Sequence, residues 1–168
     1  MNYFRREDWT LFRNIQTIGQ KAGVPLEKIP RLVAKELVDN ALDIAGACQF
    51  DLLGDNRFYV QDAGPGLQGT DAEVAALFSV ARPLTSSKLL RLPTRGALGN
   101  GLRVVAGVVL ASGGELVVKT RGRALQLVPR DEDGSTDVTR LGDWRGRGTR
   151  VEVRLGPAMV IDEETLHW

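Results

Sequence analysis

Arg31-Leu-Val-Ala-Lys-Glu-Leu-Val-Asp-Asn-Ala-Leu-Asp-Ile-Ala45 contains neither Gly nor Pro, and most of its residues favour helix. Glu36, Asn40 and Asp43 stand at i, i+4 and i+7, so at about 100° per residue they share one narrow face. Leu37, Ala41, Ile44 and Ala45 cover the opposite side, and Val33, Val38 and Leu42 widen the apolar surface. A helix apolar nearly all round belongs in a core. Its stripe of acid, amide and acid then either faces solvent, as carboxylates usually do, or lines a pocket. Asp39 stands about 60° off the stripe, where a solvated or ion-paired role is as reasonable as a site role; Asp43 lies on it as a supporting residue.

Working outward, residues 7–22 place Trp9, Leu11, Phe12, Ile15 and Ile18 near helical spacing, which predicts a first helix ending at Gly23-Val-Pro25. Pro30 suits the first turn of the central helix and Gly46 its end. Cys48–Leu53 and Arg57–Gln61 read as two strands joined through Gly54-Asp-Asn56, the second leading into Asp62-Ala-Gly-Pro-Gly66. A short helix is expected over Asp71–Phe78, capped by Thr70 or Asp71, then a long irregular loop from Ser79 to Leu98. Gly99-Asn-Gly101 opens a second apolar helix, Leu102–Leu110, closed by Ser112-Gly-Gly114. Strands are expected at Glu115–Thr120, Arg123–Val128, around Thr136–Arg140 and at Thr149–Leu155. Helices mostly precede hairpin-linked strands, so the class is α+β: a two-layer sandwich with a largely antiparallel, mixed sheet and helices on one face.

The 168 residues suit one globular domain with a core of useful size. Hydrophobic residues at 43% and charged residues at 26% are ordinary, and a net charge of +1 makes no global case for nucleic acid or membrane. The single cysteine, Cys48, excludes an internal disulfide and a cysteine-cluster metal site, and its neighbours Ala45, Ala47 and Phe50 suggest a small buried residue. Neither a signal peptide nor an apolar run long enough to span a bilayer is visible. The chain reads as soluble and cytoplasmic, and its end at Leu166-His-Trp168 reads as a cut from something longer. His167, the lone histidine, reads as a surface residue, and Trp9, Trp144 and Trp168 as packing residues.

Three features recur in order: Glu36-x-x-x-Asn40, Asp62-x-Gly64-x-Gly66 and Gly96-x-x-Gly99-x-Gly101. Together they suit a nucleotide. Gly99, Asn100 and Gly101 at a helix start offer free backbone N–H groups and a positive dipole end to phosphates, and glycine lets the backbone approach an anion closely. No Gly-Lys-Ser/Thr follows, so this is not a Walker-type loop. Asp62 at a strand end can accept from an exocyclic amine. Asn40 can give Mg²⁺ a neutral oxygen while phosphates and waters complete its octahedron. Glu36, one turn away, can orient or deprotonate an attacking water. Taken singly, each is as well read as a solvated face or a tight turn.

These boxes resemble those of the GHKL ATPases, the superfamily of gyrase, the large heat-shock chaperone, histidine kinases and MutL, over roughly residues 27–155. Within it, Lys35-Glu-Leu-Val-Asp-Asn-Ala-Leu-Asp43, Ser86-Ser-Lys88 and Arg95-Gly-Ala-Leu-Gly-Asn-Gly-Leu102 look most like the topoisomerase VI B subunit and the microrchidia ATPases, and Gly148-Thr-Arg-Val-Glu-Val153 resembles the final box. The resemblance implies a Bergerat-type ATP-binding domain over 27–168 behind an N-terminal helical arm, 1–26. It implies ATP and Mg²⁺ as ligands, with Glu36 as the water-activating base, Asn40 as metal ligand, and Asp62 as the adenine-reading carboxylate. Gly64 and Gly66 form the turn supporting Asp62, Thr149 assists it, and Lys88, Gly96, Gly99, Asn100 and Gly101 belong to the phosphate lid and helix start. Nucleotide-dependent homodimerisation is implied too, as is a DNA or protein partner reached through domains absent here. Topoisomerase-like members complete their γ-phosphate site with a lysine from a following domain, which this chain is expected to lack.

Arg82, Lys88, Arg91, Arg95 and Arg103 form a basic cluster suited to solvent, to nucleotide phosphates or to a DNA backbone. Two other readings use the same fold: a protein kinase acting on serine or histidine, and a nucleotide-gated interaction module with little turnover.

Overall fold

The computed structural model describes residues 8–81 and 100–166. Where one helix is expected over 7–22, there are two pieces: a 3₁₀ turn at Asp8–Phe12 and α1 at Ile15–Ala22. Asn14 separates them with extended backbone, and its side chain accepts from the Gln16 N–H at 2.9 Å. A capping residue leaves the helical region to satisfy the next turn's donors, and here that local bond overrides the apolar periodicity. Phe12 and Ile18 turn into the core.

The central stretch forms α2, Ile29–Ala45, with proline in its first turn and Gly46 closing it at φ 69°. The short helix α3, Asp71–Leu77, starts in a reciprocal capping box between Thr70 and Glu73. The second long helix, α4, spans Asn100–Ser112. α1 lies on α4 and α4 on α2. At Gly107 a Cβ would run into the Phe12 carbonyl, so the small residue sets the approach of α4 to the N-terminal turn.

Among the described residues, six strands form one sheet: β1 Cys48–Gly54, β2 Arg57–Asp62, β3 Glu115–Thr120, β4 Arg123–Pro129, β5 Thr136–Asp143 and β6 Thr149–Arg154. Their order is β1-β2-β6-β3-β4-β5, and every pairing is antiparallel. This is the α+β two-layer arrangement expected. α2 covers β1 and β2, α4 covers β3 and β4, and α3 sits against β5. No helix among the described residues is long and apolar enough to cross a membrane.

The register shows how the core ends. Leu52, Phe58, Val153, Leu116 and Leu127 stand side by side across five strands. Phe50, Val60, Val151, Val118 and Leu125 form the next row, and most of both rows is buried. Because side chains alternate, the third inward row falls two residues further along each strand. It reads Cys48, Asp62, Thr149, Thr120 and Arg123. Two apolar rows thus give way to a polar one beneath the C-terminal end of α2. Cys48 is only partly buried there, so the buried site expected for it is corrected: among the described residues β1 is an edge strand of the sheet.

On the outer face, Glu152 is 9% exposed. Lys119 donates to its Oε1 at 2.8 Å, as does Arg150 Nε at 2.8 Å, while the Arg150 guanidinium lies over the Tyr59 ring. Burial opposes ionisation of Glu152, but the two cations outweigh it and its pKa is lowered. A carboxylate with a depressed folded pKa contributes stability above its unfolded value, near 4.5, and loses it as pH falls through the folded one. Glu152→Gln is therefore expected to cost about 1–2 kcal/mol at pH 7 and to flatten the acid decline, read as urea midpoints across pH 7 to 3. Unchanged midpoints would show the pair contributes nothing.

Candidate functional site

On α2, Glu36 and Asn40 are half-buried, one turn apart. Asn40 Nδ2 donates to the Glu36 carbonyl at 2.9 Å. Only the amide nitrogen can donate, so this bond fixes the flip and leaves Oδ1 as the acceptor the side chain presents. The Glu36 carboxyl is raised above its ordinary pKa, chiefly by burial, with Lys35 lowering it and Asp39 raising it. Asp39 itself is held by Lys35 at 2.6 Å.

Gly101, in the first turn of α4, faces these two residues. A Cβ there would stand 2.5 Å from Glu36 Oε2 and 3.4 Å from Asn40 Nδ2. The first turn of a helix carries backbone N–H groups without intrahelical acceptors, and the absent Cβ brings that backbone directly onto the acid and amide. Asn100 is the first residue of α4. Lys88, Gly96 and Gly99 lie outside the described residues, as do Arg82, Arg91, Arg95 and His167. Arg103, grouped by sequence with the basic cluster, lies with its guanidinium over the Phe12 ring at 4.4 Å and donates to the Val80 carbonyl at 2.9 Å.

At the C-terminal end of α2 stands the Asp62 turn. Asp62 is 5% exposed, and its Oδ1 accepts from the Gly64 N–H at 2.8 Å and the Thr149 N–H at 3.3 Å. Gly148, at φ 76°, is pressed on the Asp62 carbonyl, where a Cβ would collide. Gly66, at φ 81°, touches Thr120 and the Arg121 stem. The Thr149 and Thr120 hydroxyls lie 3.3 Å apart, and Thr120 Oγ1 accepts from the Leu67 N–H at 2.8 Å. Thr149, 87 residues beyond Asp62, therefore joins Asp62, Gly64 and Gly66 in one cluster.

Ile44 ties α2 to this turn. A Cβ on Gly64 would stand 2.6 Å from Ile44 Cγ2, and from Glu36 to Ile44 the helix rises about 12 Å. Sequence placed Ile44 on the buried side, but it is 47% exposed. The last turn of α2 runs past the sheet's apolar rows, leaving a solvent-facing apolar surface beside Asp62. Thr120 was also missed. Its signal was the inward alternation of Leu116 and Val118, which ends on a buried hydroxyl.

A groove of about 430 Å³ between α1 and the segment after it is lined by Gln16, Gly19, Gln20, Gly23, Val24, Pro25 and Leu26. It has no ionisable lining and borders none of the residues above.

No family model matches the chain. Among curated proteins, the DNA mismatch repair protein MutL of Listeria welshimeri is 32% identical over 137 residues, 79% of this chain and 22% of that protein. MutL of Beijerinckia indica is 33% identical over 138 residues, covering 79% and 21%, and that of the Wolbachia of Brugia malayi 31% over 97 residues, covering 55% and 15%. The chain spans about a fifth of the length of the first two. Similarity to MutL, one of the proteins for which the superfamily is named, supports assignment of the chain to the GHKL superfamily and lends nothing to the narrower topoisomerase VI B-like or microrchidia-like resemblance.

Proposed function

We propose that this site binds ATP along α2, base at Asp62 and phosphates at the start of α4, and hydrolyses it. The observation that carries the reading is the placement of Gly101 against Glu36 and Asn40 in the middle of α2 and of Gly64 against Ile44 at its C-terminal end. A carboxylate with one oxygen already bonded to backbone N–H groups keeps its second for an exocyclic amine. Ile44 offers that base an apolar edge, and the α4 N-terminus offers its donors to phosphate.

Among the described residues no three or more His, Cys, Asp or Glu side chains gather to hold a metal. The donor set here is an amide oxygen, which suits an ion that keeps waters and takes its anionic ligands from phosphate, as Mg²⁺ does. When bound, Mg²⁺ neutralises phosphate charge. Asn40 is the residue to hold it, Glu36 accepts a proton from water, and burial makes Glu36 a stronger base than an exposed glutamate. Lys88, Gly96 and Gly99 are assigned to the phosphate lid by their motif. Among finer placements, the likeness to MutL proteins favours a mismatch-repair-type ATPase over the topoisomerase VI B-like one, with the same site chemistry.

Glu36→Ala is expected to keep Mg-ATP binding and to lose about 10²–10⁴-fold in turnover. Asp62→Asn, which still accepts from Gly64 and Thr149, is expected to weaken ATP binding about 10–100-fold. Calorimetric titration and phosphate release read both; normal ATP affinity in Asp62→Asn would remove the base assignment. Phosphate release insensitive to Glu36→Ala, with tight binding, would favour a nucleotide-gated module, and transfer of label to protein a kinase.

Gly101→Ala must displace the Glu36 carboxylate. A turnover loss of about tenfold or more with the fold intact is expected, and wild-type turnover would show that Glu36 does not act from its observed position.

ATP-dependent pairing of two copies is proposed as part of the same reading. Light scattering with and without a non-hydrolysable analogue is expected to show the mass doubling; an unchanged mass at saturating analogue would exclude it.

A further inference from the structure

The segment that carries the base-binding turn is held from outside itself. From Ala63 to Gly69 no backbone–backbone hydrogen bond forms among the described residues. Its alternate positions are gripped instead by the β3–β4 hairpin. Arg121 donates to the Pro65 carbonyl at 3.3 Å, Thr120 accepts from the Leu67 N–H at 2.8 Å, and Arg123 donates to the Gly69 carbonyl at 2.7 Å. Arg123 also pairs with Asp71 at 3.0 Å, so the start of α3 is tied to the same hairpin, with Arg140 sharing Asp71 at 3.4 Å. The Arg121 stem crosses Gly66, where a Cβ would stand 2.6 Å from its Cγ.

A second observation is independent of these contacts. Thr120 pairs with Arg123, so Arg121 and Gly122 are the two central residues of a hairpin turn, at φ 45° and 84°. Positive φ at both positions is a type I′ turn, for which Asn-Gly and Asp-Gly are the favoured pairs. An arginine there carries the left-handed steric penalty that asparagine tolerates better. The turn's own geometry gives no reason for arginine; its contacts with Pro65 and Gly66 do.

We infer that Arg121 and Arg123 are positioning residues that set the shape of the 63–70 loop, and through it the affinity for the nucleotide base; the second half rests on the assignment of Asp62 to the base. Arg121 sits at the base end, so its loss should weaken ATP and ADP alike and leave turnover at saturation unchanged.

The test is Arg121→Asn. It is expected to melt at the wild-type temperature or above, because the turn is relieved. Amide exchange of residues 63–70 without nucleotide should nevertheless quicken, and ATP and ADP should bind equally weaker, about 3–10-fold, with kcat unchanged. Arg123→Ala should likewise quicken exchange of 63–70 and weaken both nucleotides, though with a lower melting temperature because its pairing to Asp71 is lost, and Arg123→Lys should recover that pairing only in part. Arg140→Ala, which shares Asp71 but touches no loop carbonyl, should match wild type. Unchanged exchange of 63–70 in Arg121→Asn would overturn the inference. So would weakened ATP with unaltered ADP, which makes Arg121 a phosphate contact. If the wild-type chain bound neither nucleotide, the ATP reading would fall, while the exchange comparison would still decide whether the hairpin holds the loop.

Discussion

A carboxylate buried at the end of an apolar core has to be hydrogen-bonded, and that requirement at Asp62 organises this end of the molecule. The sheet's inward rows are apolar twice and polar once, and Asp62 stands in the polar row. Its Oδ1 takes the Gly64 and Thr149 N–H groups, which draws the turn after β2 and the start of β6 onto it. Gly148 is needed because β6 enters against the Asp62 carbonyl. Gly66 leaves room for the hairpin between β3 and β4. The glycines of the Asp62 box thus record close approach of three segments to one buried anion, as well as the tight turn that glycine and proline suggest by themselves.

Close approach through a glycine also shapes the middle of α2. Gly101 brings the opening backbone of α4 onto Glu36 and Asn40, so donors without helical partners meet a half-buried acid and an oriented amide. Apolar packing of α2 against β1, β2 and α4 holds Glu36, Asn40 and Ile44 on one rigid element. Separation between them is then set by helix rise rather than by loop conformation. The proposed nucleotide, with a flat base and a polyanion, would lie along that stretch of the helix.

How much of this could be read beforehand varied by residue. The Glu36 and Asn40 stripe was visible because a helix converts spacing into a face, and the hairpins because Gly54 and Gly122 mark turns. The strand order was not visible, since pairing β6 between β2 and β3 depends on contacts remote in sequence. Ile44 was misread because periodicity assigns a face without saying where the neighbouring layer stops. Asn14 broke the first helix through a single side-chain bond that no apolar pattern registers. Arg103 was grouped by charge into a basic cluster suited to solvent, phosphate or DNA, yet its guanidinium lies over Phe12 and donates to Val80. The support from Thr120, Arg121 and Arg123 was hidden for the same reason as the strand order: it joins segments some fifty residues apart, as in the Leu67–Thr120 bond.

The most direct measurement is the structure of the chain with Mg²⁺ and a non-hydrolysable ATP analogue. The account requires the adenine amine within hydrogen-bond distance of the free oxygen of Asp62, the base edge against Ile44, and the phosphates at the N-terminus of α4 facing Glu36 and Asn40. A nucleotide seated elsewhere, or one whose base lies at Gly101 and whose phosphates lie at Asp62, would contradict it.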